Sequence, residues 1–449
     1  MVMIAVIAVM VAIFVSATTI FVSVFIVRII LKTAMFKFFT VVLVFLSSIM
    51  SSSAQDVEQL TEIAGGKLHS VKAGDGPYAV VFEAGFVSDL SVWQRVAPSI
   101  AKNAQVLMYS RAAVGKSPAR DHALNLSEHA EELKQLIAAH KITKPLILVG
   151  HSYGGWVVRQ FAAANPKLVA GLVLVDPAIE TLEVELNKLD AKKVLEDQQK
   201  LNQMAPPSAK ADLALVQAIF TQAKLPNQSA LPDVPTHLLT SIMVPRNPFF
   251  QETAPALQVK RDLHQKFIQQ FSNAAHVVTS RSGHHIQMEE PHLVIAAIEQ
   301  VMLGLQKESE KAARLLAKQQ AQQAVHQAVE KTAAQLQAKQ EQAAESTLFA
   351  ALKTSQFSEA DINKLAYDLL TKAKQTTLAE MVFRYNVQNF PQSDNAYDSH
   401  GEALLALHRV EEAKAAFNKA IALATNKRSP QVLRGYQENL RKAEQAQTK

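Results

Sequence analysis

The residues Gly150-His151-Ser152-Tyr153-Gly154 read G-x-S-x-G, a spacing that can raise a serine hydroxyl on a tight turn. The chemistry open to such a serine is nucleophilic: its oxygen attacks an electrophilic carbon once a base takes its proton. Where chains pass closely on the turn, small residues are needed, and Gly150, Gly154 and Gly155 supply them. The competing reading is an ordinary glycine-rich turn, so the flanking sequence has to decide. Pro145 to Val149 (P-L-I-L-V) is a short apolar run of buried-strand type. Gly155 to Ala164 (G-W-V-V-R-Q-F-A-A-A) has helical character and stops at Asn165-Pro166, where proline cannot continue a helix. Strand, turn and helix together are the setting that the motif requires.

The elements that would position this serine extend over residues 55 to 305. Twelve of the fourteen glycines fall at or before Gly304, which marks a turn-rich part and puts a domain boundary near there. Strand-like runs at Tyr78 to Glu83, Gln105 to Tyr109, Pro145 to Val149, Ala170 to Asp176, Thr236 to Met243 and Ala275 to Ser280 alternate with helical stretches. That alternation predicts a parallel sheet with helices on both faces.

Composition narrows the classes further. At 449 residues there is room for two or three domains and a sizeable core. The absence of cysteine excludes disulfides, thiolate metal sites and a lipid-modified cysteine anchor. A net charge of +6 without a basic run gives no footprint for nucleic acid. At the amino terminus, Val2 to Val27 carries no charge and is long enough to span a bilayer. A second pattern follows: a basic start at Met35-Phe36-Lys37, an apolar core from Phe38 to Leu46, and Ser52-Ser53-Ala54 ahead of Gln55. It reads as a secretory signal peptide beginning at Met35, with residues 1 to 34 an upstream extension of the reading frame. The alternative is a membrane anchor formed by residues 2 to 27. Either predicts that the remainder lies outside the cytoplasmic membrane, most simply in a bacterial periplasm.

The motifs V-F-E-A-G-F, Y-S-R-A-A-V-G-K-S, V-G-H-S-Y-G-G, L-V-L-V-D-P-A and S-G-H-H-I-Q, in that order, resemble the α/β-hydrolase superfamily over about residues 60 to 305. The resemblance implies an α/β fold, a mostly parallel sheet with a helical cap, and acyl transfer to water. Ser152 would be the nucleophile and His284, in Ser282-Gly283-His284-His285, its base; the family pattern G-H-x-I favours His284 over its neighbour His285. His151, His264 and His292 are read as structural. The oxyanion would be held by the backbone amides of Tyr153 and, by resemblance, Phe86. Arg111 to Ser117 looks like the family's arginine-glycine turn, with Ser110 where aspartate is frequent and Ala113 where glycine is common, and is read as a structural loop near the site mouth. For the triad acid, Asp176 closes the run G-L-V-L-V-D, whereas the first acid after the strand ending at Met243 is Glu252; Asp176 is preferred and Glu252 is the alternative. No cofactor and no metal are needed. A serine nucleophile disfavours the dehalogenase and epoxide hydrolase branches, where aspartate stands at that position. An ester is the expected substrate; amides, thioesters and carbon–carbon bonds are the alternatives. Residues 177 to 235, with helical runs at Thr181 to Gln203 and Ala209 to Ala223, form the expected cap. Its Leu213, Leu215, Val216, Ile219 and Phe220 are read first as a packing face and second as an acyl pocket.

Beyond residue 305 helices are expected throughout, because neither glycine nor proline occurs from Leu305 to Phe390. Residues 306 to 345 read as a connecting helix with a thin apolar stripe at Val325, Val329 and Leu336. In residues 346 to 449, Tyr397, Gly401, Leu404, Ala413, Phe417 and Ala420 resemble a tetratricopeptide repeat, and Ala379 and Phe383 stand thirty-four residues before Ala413 and Phe417. Fewer than three full repeats are present, so the long helix, the segment Gln431 to Ala443 or a protein partner must complete the array. The rival to an enzyme is a non-catalytic scaffold in which these repeats bind a protein partner.

Overall fold

Central strands of a sheet covered on both faces must be apolar at every position, whereas edge strands need not be. The segments Ala79–Glu83 (β3), Leu146–His151 (β5) and Val169–Val175 (β6) are buried almost without interruption, and they lie side by side in the middle of an eight-stranded sheet. The other strands are Val57–Ile63 (β1), Gly66–Ala73 (β2), Gln105–Tyr109 (β4), Thr236–Ser241 (β7) and Ala274–Thr279 (β8). Their spatial order is β1-β2-β4-β3-β5-β6-β7-β8. β2 runs antiparallel to β1 and β4, and all other neighbours are parallel. The computed structural model describes residues 57–226 and 229–446. The sequence patterns in residues 1 to 54, including the run from Val2 to Val27 and the signal-like stretch from Met35, lie outside the described residues. No helix among the described residues is long and apolar enough to cross a membrane.

Alternation along the strands divides the core between two faces. Val81, Leu107, Leu148, Leu172 and Leu238 pack against Leu133 and Leu136 of the helix Leu126–Ala139 and against Val158 and Phe161 of the helix Tyr153–Ala164. Val80, Phe82, Val106, Val149, Val173 and Leu239 face the opposite layer, with Trp93, Ile100, Val294, Ile298 and Val301. The parallel register brings Glu83 beside Gly150, His151 beside Val175, and Ser241 beside Thr279. The carboxyl ends of β3 and β5 to β8 therefore form one edge, and each is followed by a loop there.

The run expected to extend to Met243 ends at Ser241, because the Met243 N–H turns back to the Ser241 hydroxyl at 3.3 Å. Between β6 and β7 stand the helices Leu182–Met204 and Lys210–Gln222; the first is interrupted at Asp190, whose φ of −163° and ψ of 91° are not helical.

The described residues divide into two compact units, one ending at Leu305 and the other beginning at Gln306. In the second, residues 306–320 are exposed, while Val325 and Val329 are buried against Leu348, Leu352, Ile362 and Leu378. The helices Asp394–Ala406 and Val410–Ala424 approach so closely that a Cβ on Gly401 would fall 2.5 Å from the Phe417 ring. The terminal helix Pro430–Ala446 covers them with Tyr436, Leu440 and Ala443.

Burial holds His129, His151 and His264 of the first unit below the ordinary imidazole pKa. Burial, with the nearby Arg111 and Arg120 charges, lowers His129 from 6.5 to about 3, and burial likewise lowers His264 to about 3. Because each would bind a proton more readily unfolded, their contribution is complete above the ordinary pKa and is lost as pH falls from 6.5 toward 3. Both tryptophans, Trp93 and Trp156, lie in this unit, so their fluorescence follows its unfolding alone. We predict a urea midpoint that falls between about pH 7 and about pH 5, and a shallower fall in H129L, by up to about 1.4 kcal/mol per pH unit. An unchanged slope in H129L would contradict the buried neutral assignment.

Candidate active site

At the end of β5 the chain turns through Ser152, whose φ of 52° and ψ of −120° lie outside the regions open to most side chains. The turn is held by the Ser152 N–H on the Val175 carbonyl at 3.2 Å and by the Gly155 and Ala178 N–H groups on the Ser152 carbonyl at 2.9 and 3.0 Å. It leads directly into the helix Tyr153–Ala164, so the Tyr153 N–H belongs to the first turn and has no acceptor within the helix. Gly154 lets this helix sit on the end of β3, since a Cβ there would lie 2.5 Å from the carbonyl oxygens of Glu83 and Ala84. Gly85 in turn lies against Ser152: a Cβ on it would be 2.8 Å from His151 Nδ1 and 3.4 Å from Ser152 Cβ. The segment Gly85-Phe86 is thus brought alongside the serine.

After β8 the loop carries His284, whose Nδ1–H donates to Asp176 Oδ2 at 2.7 Å. That bond fixes the tautomer and leaves Nε2 with its lone pair free to take a proton. His151, buried beside the serine, donates from Nε2 to the His284 carbonyl at 2.9 Å, and the two rings are 4.6 Å apart. The loop is also tied to β7, through the Ser241 hydroxyl on the Ser282 carbonyl at 2.7 Å. His285 stacks near both rings, at 5.0 Å from His151 and 5.6 Å from His284, and burial lowers its pKa. It makes no bond to Asp176.

Asp176 follows β6 and is buried. Its Oδ1 accepts from the Ser241 N–H at 3.0 Å, and its Oδ2 accepts from both His284 and Lys260 Nζ, the latter at 2.8 Å. Burial alone would raise its pKa, but the Lys260 ammonium and the His284 bond outweigh that and hold the carboxyl well below the usual range. Next to it, His264 Nε2–H donates to the Pro177 carbonyl at 2.9 Å, while its Nδ1 accepts from the Thr240 hydroxyl at 2.7 Å. Glu252, the alternative acid of the sequence reading, is occupied elsewhere: its Oε2 accepts from the Phe249 N–H at 2.9 Å and closes its own turn.

Three charged residues of this neighbourhood were not legible as parts of a site. Arg111, read as lying in a structural loop at the mouth, is buried behind the Gly85 segment, bonded to Glu83 and to the carbonyls of Ala84 and Gly85 at 2.6 Å each. Glu83 also accepts from the Tyr109 hydroxyl. A glutamate ending an otherwise apolar strand was the available signal for this pair, since a buried charge needs a partner. Lys260 sits in the helix Ala254–Ile268 and carries no such signal. Within the Arg111 turn, Ala113 adopts φ 64°, a left-handed conformation that the glycine common there would take without strain. Of the cap residues, Leu213 and Ile219 are buried, and Ile219 with Val216 and Phe220 packs on Tyr153, Trp156 and Phe86.

Asp176→Asn should lower kcat toward a small ester by about two to four orders of magnitude with little change in KM, because the imidazolium would lose its carboxylate. Glu252→Gln should leave both constants within about threefold. Steady-state kinetics on folded variants is the check, and the opposite pattern would move the acid to Glu252.

Residues 78–241 match a family model described as alpha/beta hydrolase fold. The chain is 24% identical over 249 residues to Uncharacterized protein YqjL of Bacillus subtilis, covering 54% of this chain and 90% of that protein. It is 57% identical over 35 residues to Lipase LipV of Mycobacterium tuberculosis, 8% of this chain and 13% of the lipase. Among solved structures, a thermophilic esterase from Thermogutta terrifontis aligns with a TM-score of 0.40 and 20% identity, covering 56% of this chain and 99% of the esterase. With a mostly parallel eight-stranded sheet between two helical layers and a serine turn after its fifth strand, the first unit has the α/β-hydrolase fold.

Proposed function

We propose that this protein is a serine hydrolase acting on an ester, through an acyl-enzyme formed on Ser152. The observation that carries the reading is the 2.7 Å bond between His284 Nδ1 and the buried Asp176 carboxylate, on the sheet edge where the Ser152 turn lies. The name of the mycobacterial relative, a lipase, supports the choice of an ester within the wider set of amides and thioesters. In the proposed reaction the Ser152 oxygen attacks the substrate carbonyl and its proton passes to His284 Nε2. The tetrahedral oxyanion is met by the Tyr153 and Phe86 amides, which need no reorganisation when the charge develops. Collapse of the intermediate breaks the ester bond, and the alcohol leaves with the proton from His284. Water, deprotonated by the same nitrogen, then attacks the acyl-enzyme and releases the acid. Asp176 stays ionised throughout and stabilises the imidazolium.

Export is proposed from the signal-like pattern that starts at Met35, with mature protein beginning at Gln55. For the helical unit we propose a tetratricopeptide-like array that binds a protein partner, supported by the thirty-four-residue spacing of Ala379 and Phe383 from Ala413 and Phe417.

Hydrolysis of p-nitrophenyl butyrate by wild type and by Ser152→Ala tests the reaction. The variant should lose about a thousandfold or more in kcat/KM while its tryptophan fluorescence and melting stay near wild type. A folded variant that keeps most of the rate would remove Ser152 as the nucleophile.

A further inference from the structure

Arg111 is 4% exposed, and its guanidinium contacts Glu83, Ala84 and Gly85 on one side of Ser152 and the Tyr153 ring on the other. Its Nη1 donates to Glu83 and to the Ala84 carbonyl, and its Nη2 donates to the Gly85 carbonyl at 2.6 Å. The same carbonyl accepts from the Ser88 N–H at 3.2 Å, so its direction is held by two donors. In a trans peptide the C=O of one residue and the N–H of the next lie in one plane and point in opposite directions. Fixing the Gly85 oxygen toward Arg111 therefore fixes the Phe86 N–H away from it. The guanidinium also lies over the Tyr153 ring, with its carbon 5.0 Å from the centroid. One side chain thus braces the residues that carry both amides of the oxyanion site.

We propose that Arg111 is the positioning residue of the oxyanion site, anchored by Glu83 and Tyr109 and setting the direction of the Phe86 N–H; this rests on the hydrolase reading above. The positive charge is neutralised by Glu83, so what Arg111 contributes is orientation. Stability does not account for the pair, because a buried ion pair offsets much of its attraction with desolvation and its joint removal is often neutral. Lysine would not serve, since a point donor cannot span two carbonyls and a carboxylate as the planar fork does.

The test compares wild type, Arg111→Lys and the charge-balanced double variant E83Q/R111M, the last leaving no unpaired buried charge if the lysine variant folds poorly. Active serines are counted with a fluorophosphonate, so kcat is expressed per competent site. Affinity for a trifluoromethyl ketone, which forms an oxyanion on the serine, is measured alongside. We expect kcat per site to fall about a hundredfold in both variants with KM within about threefold, ketone affinity to fall in parallel, and melting of the double variant to stay close to wild type. Folded variants with kcat and ketone affinity within about threefold of wild type would overturn the proposal while leaving the hydrolase reading intact. A wild type that turns over no ester would overturn both.

Discussion

The backbone of Ser152 is the constraint on which the first unit depends. A non-glycine residue at φ 52° and ψ −120° costs on the order of 1–3 kcal/mol and persists only where the surroundings determine it fully. Here the Val175 carbonyl holds the residue from one side, and the Gly155 and Ala178 amides hold its own carbonyl from the other. The helix that follows can leave at this angle only because Gly154 passes directly over the carbonyls that end β3. The sheet register then does the rest: with β3 and β5 to β8 ending on one edge, residues distant in sequence meet without any long excursion of chain.

Buried charge on that edge is used in two different ways. Asp176 receives three donors, from Ser241, Lys260 and His284, and those contacts keep it ionised despite burial. For Glu83 burial is the larger influence and raises its pKa, with Arg111 and the Tyr109 hydroxyl opposing the shift. The first carboxylate faces a histidine that is 43% exposed in its side chain and reachable from solvent; the second is sealed behind the Gly85 loop. Position relative to the serine, and not charge alone, separates the two: one carboxylate meets the His284 ring, and the other meets Arg111 behind the loop that follows β3.

Much of this was legible because the apolar pattern and the motif order carry it. β3 to β8 stand within two residues of the runs picked out by hydropathy at every end, and the serine turn is announced by its glycines. β1 escaped because an edge strand buries one face at most: Val57–Ile63 reads V-E-Q-L-T-E-I and is largely exposed. β2, paired between β1 and β4, escaped because Lys67, His69, Ser70 and Lys72 break its apolar pattern. Between Asp176 and Glu252 the sequence offered only position relative to strands, whereas the side chains separate them, one against His284 and the other capping its own turn. Lys260 was invisible for a similar reason, since a lysine in a helix is ordinarily solvated and only the fold sets this one on Asp176. In the second unit, Gly401 and Phe417 announced their close approach by residue type, while the burial of Tyr436 and Ala443 depended on where the terminal helix folds back.

The central claim is that Ser152 is made nucleophilic by its surroundings, and covalent capture tests it most directly. Wild-type protein treated with a fluorophosphonate and digested for mass spectrometry should carry one phosphonyl adduct, on Ser152. The adduct should be absent after heat denaturation, because an unfolded serine has no base beside it. An unlabelled native protein, or an adduct on any other serine, would contradict the account.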